Sequence, residues 1–102
     1  MAKSEKPFNF QFDYGEFSVT TAHTPLANEP YVELVHKKIG PEGRVFKYTI
    51  AYWHKGSDGW SLIFVGDRMI ELSQLEIGHI WPQLCAGQIA LDAWFKDQED
   101  EY

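Results

Sequence analysis

The sequence is poor in residues that build disulfide or metal frameworks. Its 102 residues include a single cysteine, Cys85, which excludes an internal disulfide and a metal site made of cysteines. The four histidines, at positions 23, 36, 54 and 79, lack the short His–His spacings typical of metal ligands. We therefore expect no metal and no cofactor, and we expect Cys85 to be a buried, unreactive thiol.

Long apolar runs and known catalytic motifs are also missing. No segment is apolar over the length that spans a bilayer, and the start, MAKSEKPFNF, lacks the apolar stretch of a secretory signal. The glycines are scattered, so no phosphate-binding loop is indicated, and no known catalytic signature occurs. We expect a cytoplasmic protein that is not an enzyme, has no catalytic residues and makes no membrane contact.

Aromatic residues are abundant, and the charge is acidic but uneven. Aromatic side chains make up 16% of the chain, and the formal net charge is −6. This sign disfavours general binding to nucleic acid. Residues 37–55 nevertheless hold five basic side chains against one acidic one, whereas residues 92–102 hold five acidic side chains against one basic one. The acidic end fits a solubilising or steering segment better than a stabilising one, because carboxylates oppose the helix dipole there.

Alternating apolar residues predict an antiparallel meander of four to five strands. Phe8, Phe10 and Phe12 recur at period two, and FSVTTAH is rich in β-branched residues. Three further segments, YVELVHKKI, RVFKYTIAYWH and WSLIFV, are separated by the turns GPEG and KGSDG. The second turn is flanked by Trp53 and Trp60, which we interpret as a structural pair on one sheet face.

The end of the chain predicts one main helix. Ser73 and Glu76 have the spacing of a capping box, and Pro82 predicts an interruption between a short turn at 73–80 and a helix over 82–97. A buried helical stripe is predicted at positions 80, 84, 87, 91 and 94. The expected fold is therefore α+β, an antiparallel meander with one C-terminal helix packed on one face. It forms a single domain over residues 1–102, with flexible ends at 1–6 and 98–102.

Pairing each turn symmetrically assigns the two faces of the sheet. The GPEG turn predicts Lys37 opposite Phe46, Val35 opposite Tyr48 and Tyr31 opposite Tyr52; the GSDG turn predicts Trp53 opposite Leu62. One face is then mainly aliphatic and suits the helix. The other gathers aromatic and charged side chains, from which we predict a binding site: Tyr31, Lys37, Arg44, Phe46, Tyr48, Tyr52 and His54.

Two functions follow from this face. The first is a small acidic module, an accessory or inhibitor protein, that acts by docking on another protein; tyrosine, tryptophan and arginine dominate interface energies. The alternative is a single-stranded nucleic-acid-binding domain, in which aromatic rings stack on bases and the lysines meet phosphates.

Self-association is also predicted, through the Tyr48 and Tyr52 face or through a sheet edge. One helix cannot cover two apolar faces, so we expect a homodimer or larger homo-oligomer unless residues 8–21 cover the second face. Leu62, Phe64, Leu84 and Leu91 are predicted to be buried between sheet and helix.

Overall fold

The protein is a five-stranded antiparallel sheet with one C-terminal helix packed on it, which confirms the predicted α+β fold. The computed structural model describes residues 7–25, 29–66 and 72–99. The strands follow one another across the sheet in chain order. The elements are β1 (Gln11–Tyr14), β2 (Phe17–His23), β3 (Pro30–Ile39), β4 (Val45–Gly56), β5 (Gly59–Phe64) and α1 (Gln74–Glu99), with a 3₁₀ turn at Pro41–Gly43.

The N-terminal hairpin extends the sheet rather than covering its second face. β1 pairs with β2, and β2 pairs with β3 over its whole length, from Phe17 opposite His36 to His23 opposite Pro30. The possibility that residues 8–21 lie over the second face is therefore wrong. The strands at the two edges of the sheet are β1 and β5.

The helix is continuous through Pro82, contrary to the predicted interruption. Its start is the predicted capping box: the Ser73 N–H donates to Glu76 Oε1 at 2.9 Å, and the Glu76 N–H donates to Ser73 Oγ at 3.2 Å. Proline in a helix costs about 3 kcal/mol. Burial of Ile80 and Leu84 on either side of it contributes about 1.5–3 kcal/mol each, so packing offsets the local cost.

The helix extends beyond the predicted end at residue 97. Residues 98 and 99 belong to α1, and Gln98 is buried. The predicted flexibility of residues 1–6 and 100–102 lies outside the described residues. Within the described ranges, no helix combines the length and the hydropathy needed to cross a membrane.

The core lies between the helix and the first three strands. α1 contacts β1, β2 and β3, and the predicted helical stripe faces them. Gly87 permits the close approach, because a Cβ there would lie 3.0 Å from Val32 Cγ1 and 3.5 Å from Phe10 Cε1. The buried cluster consists of Phe8, Phe17, Val19, Val32, Leu34, Ile80, Leu84 and Leu91, and Val35 and Ala51 are buried as well.

This placement of the helix corrects part of the predicted core. Leu84 and Leu91 are buried as expected, but Leu62 is only half-buried and Phe64 is 70% exposed. The helix lies mainly over β1–β3. Trp60 of β5 reaches it through Asp92 and Phe95. Cys85, predicted to be buried, is half-buried on the helix.

The pairing of β3 with β4 differs from the predicted register at two points. The connection is longer than GPEG: Gly40 N–H donates to Arg44 O at 2.7 Å, and Ile39 lies opposite Val45. A β-bulge then follows, because Val35 lies opposite Thr49 while Leu34 lies opposite Ala51, which leaves Ile50 as the extra residue. The KGSDG hairpin has the predicted register, with Trp53 opposite Leu62 and Gly56 opposite Gly59.

Each one-residue shift moves the following side chains to the other side of the sheet. We call the side under α1 the helix face and the opposite side the open face. The turn places Phe46 and Tyr48, opposite Lys38 and His36, on the helix face. The bulge returns Tyr52, opposite Glu33, to the open face. The predicted single face of aromatic and basic residues is therefore wrong.

Candidate functional site

A cleft opens where two hairpins of the sheet diverge. β3 and β4 are paired only as far as Glu33 and Tyr52. Beyond that point β2 and β3 continue as one hairpin to His23 and Pro30, while β4 and β5 continue as another to the Gly56–Gly59 turn. The space between these two hairpin ends is a cleft of about 450 Å³, closed on one side by the last turns of α1.

Aromatic side chains dominate the lining of this cleft, which we call the aromatic cleft. The aromatic residues come from four elements: Tyr31 from β3, Tyr52 and Trp53 from β4, Trp60 from β5, and Phe95 from α1. The remaining lining residues are Thr24, Pro25, Glu29, Pro30, His54, Lys55 and Leu91. The cleft opens to solvent at its rim, where Pro25, Glu29, His54 and Lys55 are exposed.

The two tryptophans are fixed by hydrogen bonds to the helix. Trp53 Nε1–H donates to Leu84 O at 2.9 Å, and Trp60 Nε1–H donates to Asp92 Oδ1 at 3.1 Å. Each indole N–H is therefore satisfied within the chain, which leaves the ring surfaces for a ligand. Tyr31 and Tyr52 contact each other edge to face, with centroids 5.9 Å apart. The walls are thus positioned before any ligand arrives.

The charges near the cleft are of both signs. Lys55 Nζ lies 5.1 Å from the centroid of the Phe95 ring, a cation–π contact. The hydrogen bond from Trp60 lowers the pKa of Asp92, as do Lys96, whose Nζ lies 3.1 Å from Asp92 Oδ2, and Lys55. Burial raises the pKa of Tyr31, and Glu33 and Tyr52 add to the effect. The Tyr31 hydroxyl is therefore protonated and able to donate at neutral pH.

Three of the seven predicted binding residues lie together in the aromatic cleft: Tyr31, Tyr52 and His54. The other four lie elsewhere. Arg44 is exposed beside the turn between β3 and β4, and Phe46 packs on Gly40, where a Cβ would lie 2.7 Å from its Cε2. Tyr48 follows on the same helix face, opposite His36.

Lys37 lies on the open face, in a separate polar groove of about 300 Å³. It is directly opposite Lys47, and its Nζ is 3.9 Å from Asp13 Oδ1. Ser18, Thr20 and Thr49 contribute hydroxyls to the same groove. The groove contains no aromatic side chain, so the lysines and the aromatic rings that the nucleic-acid hypothesis needs together are separated.

Sequence reasoning missed the role of Trp53, Trp60 and Phe95 in this cleft. The two tryptophans do share the helix face, as predicted for a structural pair, since Trp53 lies opposite Leu62 and Trp60 opposite Lys55. The density of tryptophans around a predicted turn was the available signal. Phe95 carried none, because its meeting with β5 depends on the path of the helix across the sheet.

Comparison with known proteins gives no match: no family model, no curated protein and no solved structure matches this chain. Among the residues that the structure describes, no group of three or more His, Cys, Asp or Glu side chains is placed to hold a metal ion. The aromatic cleft is therefore the feature of the molecule from which a function can be inferred.

Proposed function

We propose that this protein is a small non-enzymatic binding module that docks on another protein by taking a segment of that protein into the aromatic cleft. The observation that carries this proposal is the pre-positioned lining of five aromatic rings. Tyrosine and tryptophan contribute large contact areas at low conformational cost and are enriched among the residues that dominate interface energies. An accessory or inhibitor role is compatible with such docking.

The exposed rim of the cleft favours a polypeptide segment over an enclosed small molecule. Glu29 and Pro25 from the β2–β3 side and His54 and Lys55 from the β4–β5 side are all exposed. A peptide crossing the gap would contact both hairpin ends and the helix. Because the peptide would contact side chains of the cleft and not an unpaired strand edge, this binding is independent of any strand pairing along β5.

Peptide selection tests this proposal. A displayed library of random peptides of about a dozen residues would be selected on the full chain and counter-selected on a Tyr31→Ala/Tyr52→Ala variant. We expect enriched peptides to bind the wild type with Kd of roughly 1–100 μM, in the range of transient recognition, and to bind the variant at least about tenfold more weakly. Circular dichroism would verify that the variant is folded.

The matched control is Lys47→Ala/Thr49→Ala in the groove of the open face. Binding should be unchanged in this variant. Enriched peptides that bind wild type and the tyrosine variant equally would overturn the cleft as the docking site. Loss of binding in the open-face variant alone would transfer the site to the lysine groove.

We also propose that the protein self-associates along the free edge of β5. Val65 N–H donates to Ile50 O at 2.8 Å, so in the alternation of an antiparallel ladder Ser61 and Ile63 also bond to β4. The N–H and C=O groups of Trp60, Leu62 and Phe64 then point to the outer edge. Charged residues and prolines commonly protect an edge strand from pairing, and residues 59–65 contain neither.

This edge is self-complementary. Two copies related by a two-fold axis at Leu62 would pair Trp60 of one with Phe64 of the other, an aromatic cross-strand contact. The exposed Ile77 and Trp81 share a helical stripe with Asp92 and Phe95, so they face the β5 side and would be covered as well. The lack of charge along the β5 edge favours pairing there, because the net charge of −6 repels a second copy at other parts of the surface.

Sedimentation equilibrium tests the proposed self-association. We expect a dimer in the wild type at tens of micromolar and a monomer in Phe64→Lys, whose side chain is already 70% exposed. Ile39→Lys is the control, since Ile39 is 73% exposed at the far hairpin and should leave the dimer intact. A monomeric wild type at high micromolar concentration would refute this proposal without affecting the cleft.

A further inference from the structure

We propose that the aromatic cleft recognises an arginine side chain on a basic segment of the partner protein, and that Lys55 occupies the guanidinium position in the free protein. This inference rests on the proposed docking function and specifies the chemistry of its ligand. A planar guanidinium stacks on aromatic rings and pairs with carboxylates.

Lys55 is the first observation that supports a cationic ligand. Its ammonium lies 5.1 Å from the centre of the Phe95 ring, and both residues line the cleft. The cleft therefore already holds one cation against an aromatic face. Because Lys55 is exposed and its stem is flexible, it can move into solvent and give up this position.

Two carboxylates, one on the rim of the cleft and one next to it, provide the second observation. Glu29 lies on the rim formed by the end of the β2–β3 connection. Asp92 lies beside the cleft rather than in its lining: its Oδ1 accepts the hydrogen bond of Trp60, and its Oδ2 lies 3.1 Å from Lys96 Nζ. It is also close enough to Lys55 for that ammonium to lower its pKa. Glu29 thus attracts a cation at the rim, and Asp92 attracts the Lys55 ammonium whose position a bound guanidinium would take.

The state of the indole groups narrows the ligand further. Trp53 and Trp60 use their N–H groups on Leu84 O and Asp92 Oδ1, so neither is free to donate to a ligand carbonyl, as grooves for proline-rich peptides generally require. What remains is ring surface and the Glu29 carboxylate on the rim, which suits a cation. The net charge of −6 also attracts a basic segment over a longer range.

The probes are three capped tripeptides with arginine, lysine or citrulline between two glycines. Binding would be followed in two-dimensional NMR spectra through the indole N–H resonances of Trp53 and Trp60 and the backbone amides of the cleft residues. We expect the arginine peptide to shift these signals with a Kd in the millimolar range, suitable for a single side chain. The lysine peptide should bind more weakly, and neutral citrulline should bind at least about fivefold more weakly than arginine.

Lys55→Met gives the sharpest test, because it should improve binding. The substitution removes the resident cation but keeps an unbranched side chain. It should lower the Kd of the arginine peptide by roughly threefold, about the effect of one exposed cation–π contact. Asp92→Asn should weaken binding of the arginine peptide, and Lys47→Met on the open face should leave its binding unchanged. These variants preserve the core residues, and their NMR spectra report folding directly.

Equal binding of arginine and citrulline peptides, or no shift of the cleft resonances in either wild type or Lys55→Met, would overturn the arginine assignment. That result is distinguishable from failure of the docking function. If selected peptides without basic residues bind the cleft and lose binding in Tyr31→Ala/Tyr52→Ala, docking stands and the ligand is apolar. If neither kind of peptide binds the cleft, both proposals fail.

Discussion

Two glycines of the helix have different environments. Gly87 is buried against β3, and a Cβ added there would lie only 3.0 Å from Val32 Cγ1, which is a tight contact. A Cβ added at Gly78 would meet no atom within 4 Å. Alanine is favoured over glycine in a helix by about 1 kcal/mol. At Gly87 that gain competes with overpacking, which costs about 1–3 kcal/mol.

We therefore expect opposite results from the two alanine substitutions. Gly78→Ala should stabilise the protein by about 0.5–1 kcal/mol, while Gly87→Ala should destabilise it by about 0–2 kcal/mol. Urea unfolding of both variants provides the measurement. Equal stabilisation in both would mean that the helix is not held close to Val32.

The exposure of Phe64 predicts a second contrast between single residues. Leu91→Ala removes a side chain that is fully buried in the core and should cost about 2–5 kcal/mol. Phe64→Ala should change the stability of the isolated chain by less than about 0.5 kcal/mol, as for an ordinary surface position. Measurements at low protein concentration would separate this from self-association. A large loss in Phe64→Ala there would place the helix over β5.

At the scale of elements, the capping box predicts how the stability of the helix depends on pH. Hydrogen bonds from the backbone and side chain of Ser73 lower the pKa of Glu76 from its ordinary value of 4.5. The folded protein therefore holds this proton less tightly than the unfolded chain. Its contribution to stability is present above about pH 4.5 and is lost as the pH falls through the lower folded value.

Glu76→Gln should accordingly lower the Tm at neutral pH, and the difference from wild type should shrink as the pH falls below about 4.5. Ser73→Ala should cost about 1 kcal/mol through the lost cap at neutral pH. Thermal melts at a series of pH values test both. A Tm difference for Glu76→Gln that stays constant into strong acid would show that the carboxylate charge does not stabilise the helix start.

The strands show which parts of the sheet local signals can specify. All five strands and both central hairpins were predicted from alternation and turn residues. The exact pairing of β3 with β4 was not, because the Gly40–Arg44 connection and the bulge at Ile50 depend on backbone geometry. At the turn, Glu42 adopts a φ of 66° and Gly43 a φ of 77°, which the GPEG pattern alone does not determine.

At the scale of the whole molecule, charge and the divided faces argue against single-stranded nucleic acid as the ligand. The lysine groove lies on the open face, while Phe46 and Tyr48 lie on the helix face. We expect a labelled oligonucleotide to bind no more tightly than about 10⁻⁴ M at physiological salt. Fluorescence anisotropy across a salt series would measure it. Tight binding with a steep salt dependence would restore the nucleic-acid hypothesis and direct attention to Lys37 and Lys47.

The sequence by itself determined the fold class, the order of the strands, the capping box and the buried stripe of the helix. Each of these depends on residues close in the chain, through alternation, turn chemistry and helical spacing. It also placed Tyr31, Tyr52 and His54 on one face. This prediction holds although the register differs, because the one-residue shift at the turn and the one at the bulge cancel.

Only the tertiary structure decided where the helix lies on the sheet, and with it the candidate site. Gly87 allows close contact between the helix and Val32 of β3. In this placement Phe64 is exposed and Phe95 contacts Trp60. The aromatic cleft exists because two hairpins diverge beyond Glu33 and Tyr52. Contacts between elements distant in the chain carry no local pattern, so the sequence named some residues of the cleft but could not bring its walls together.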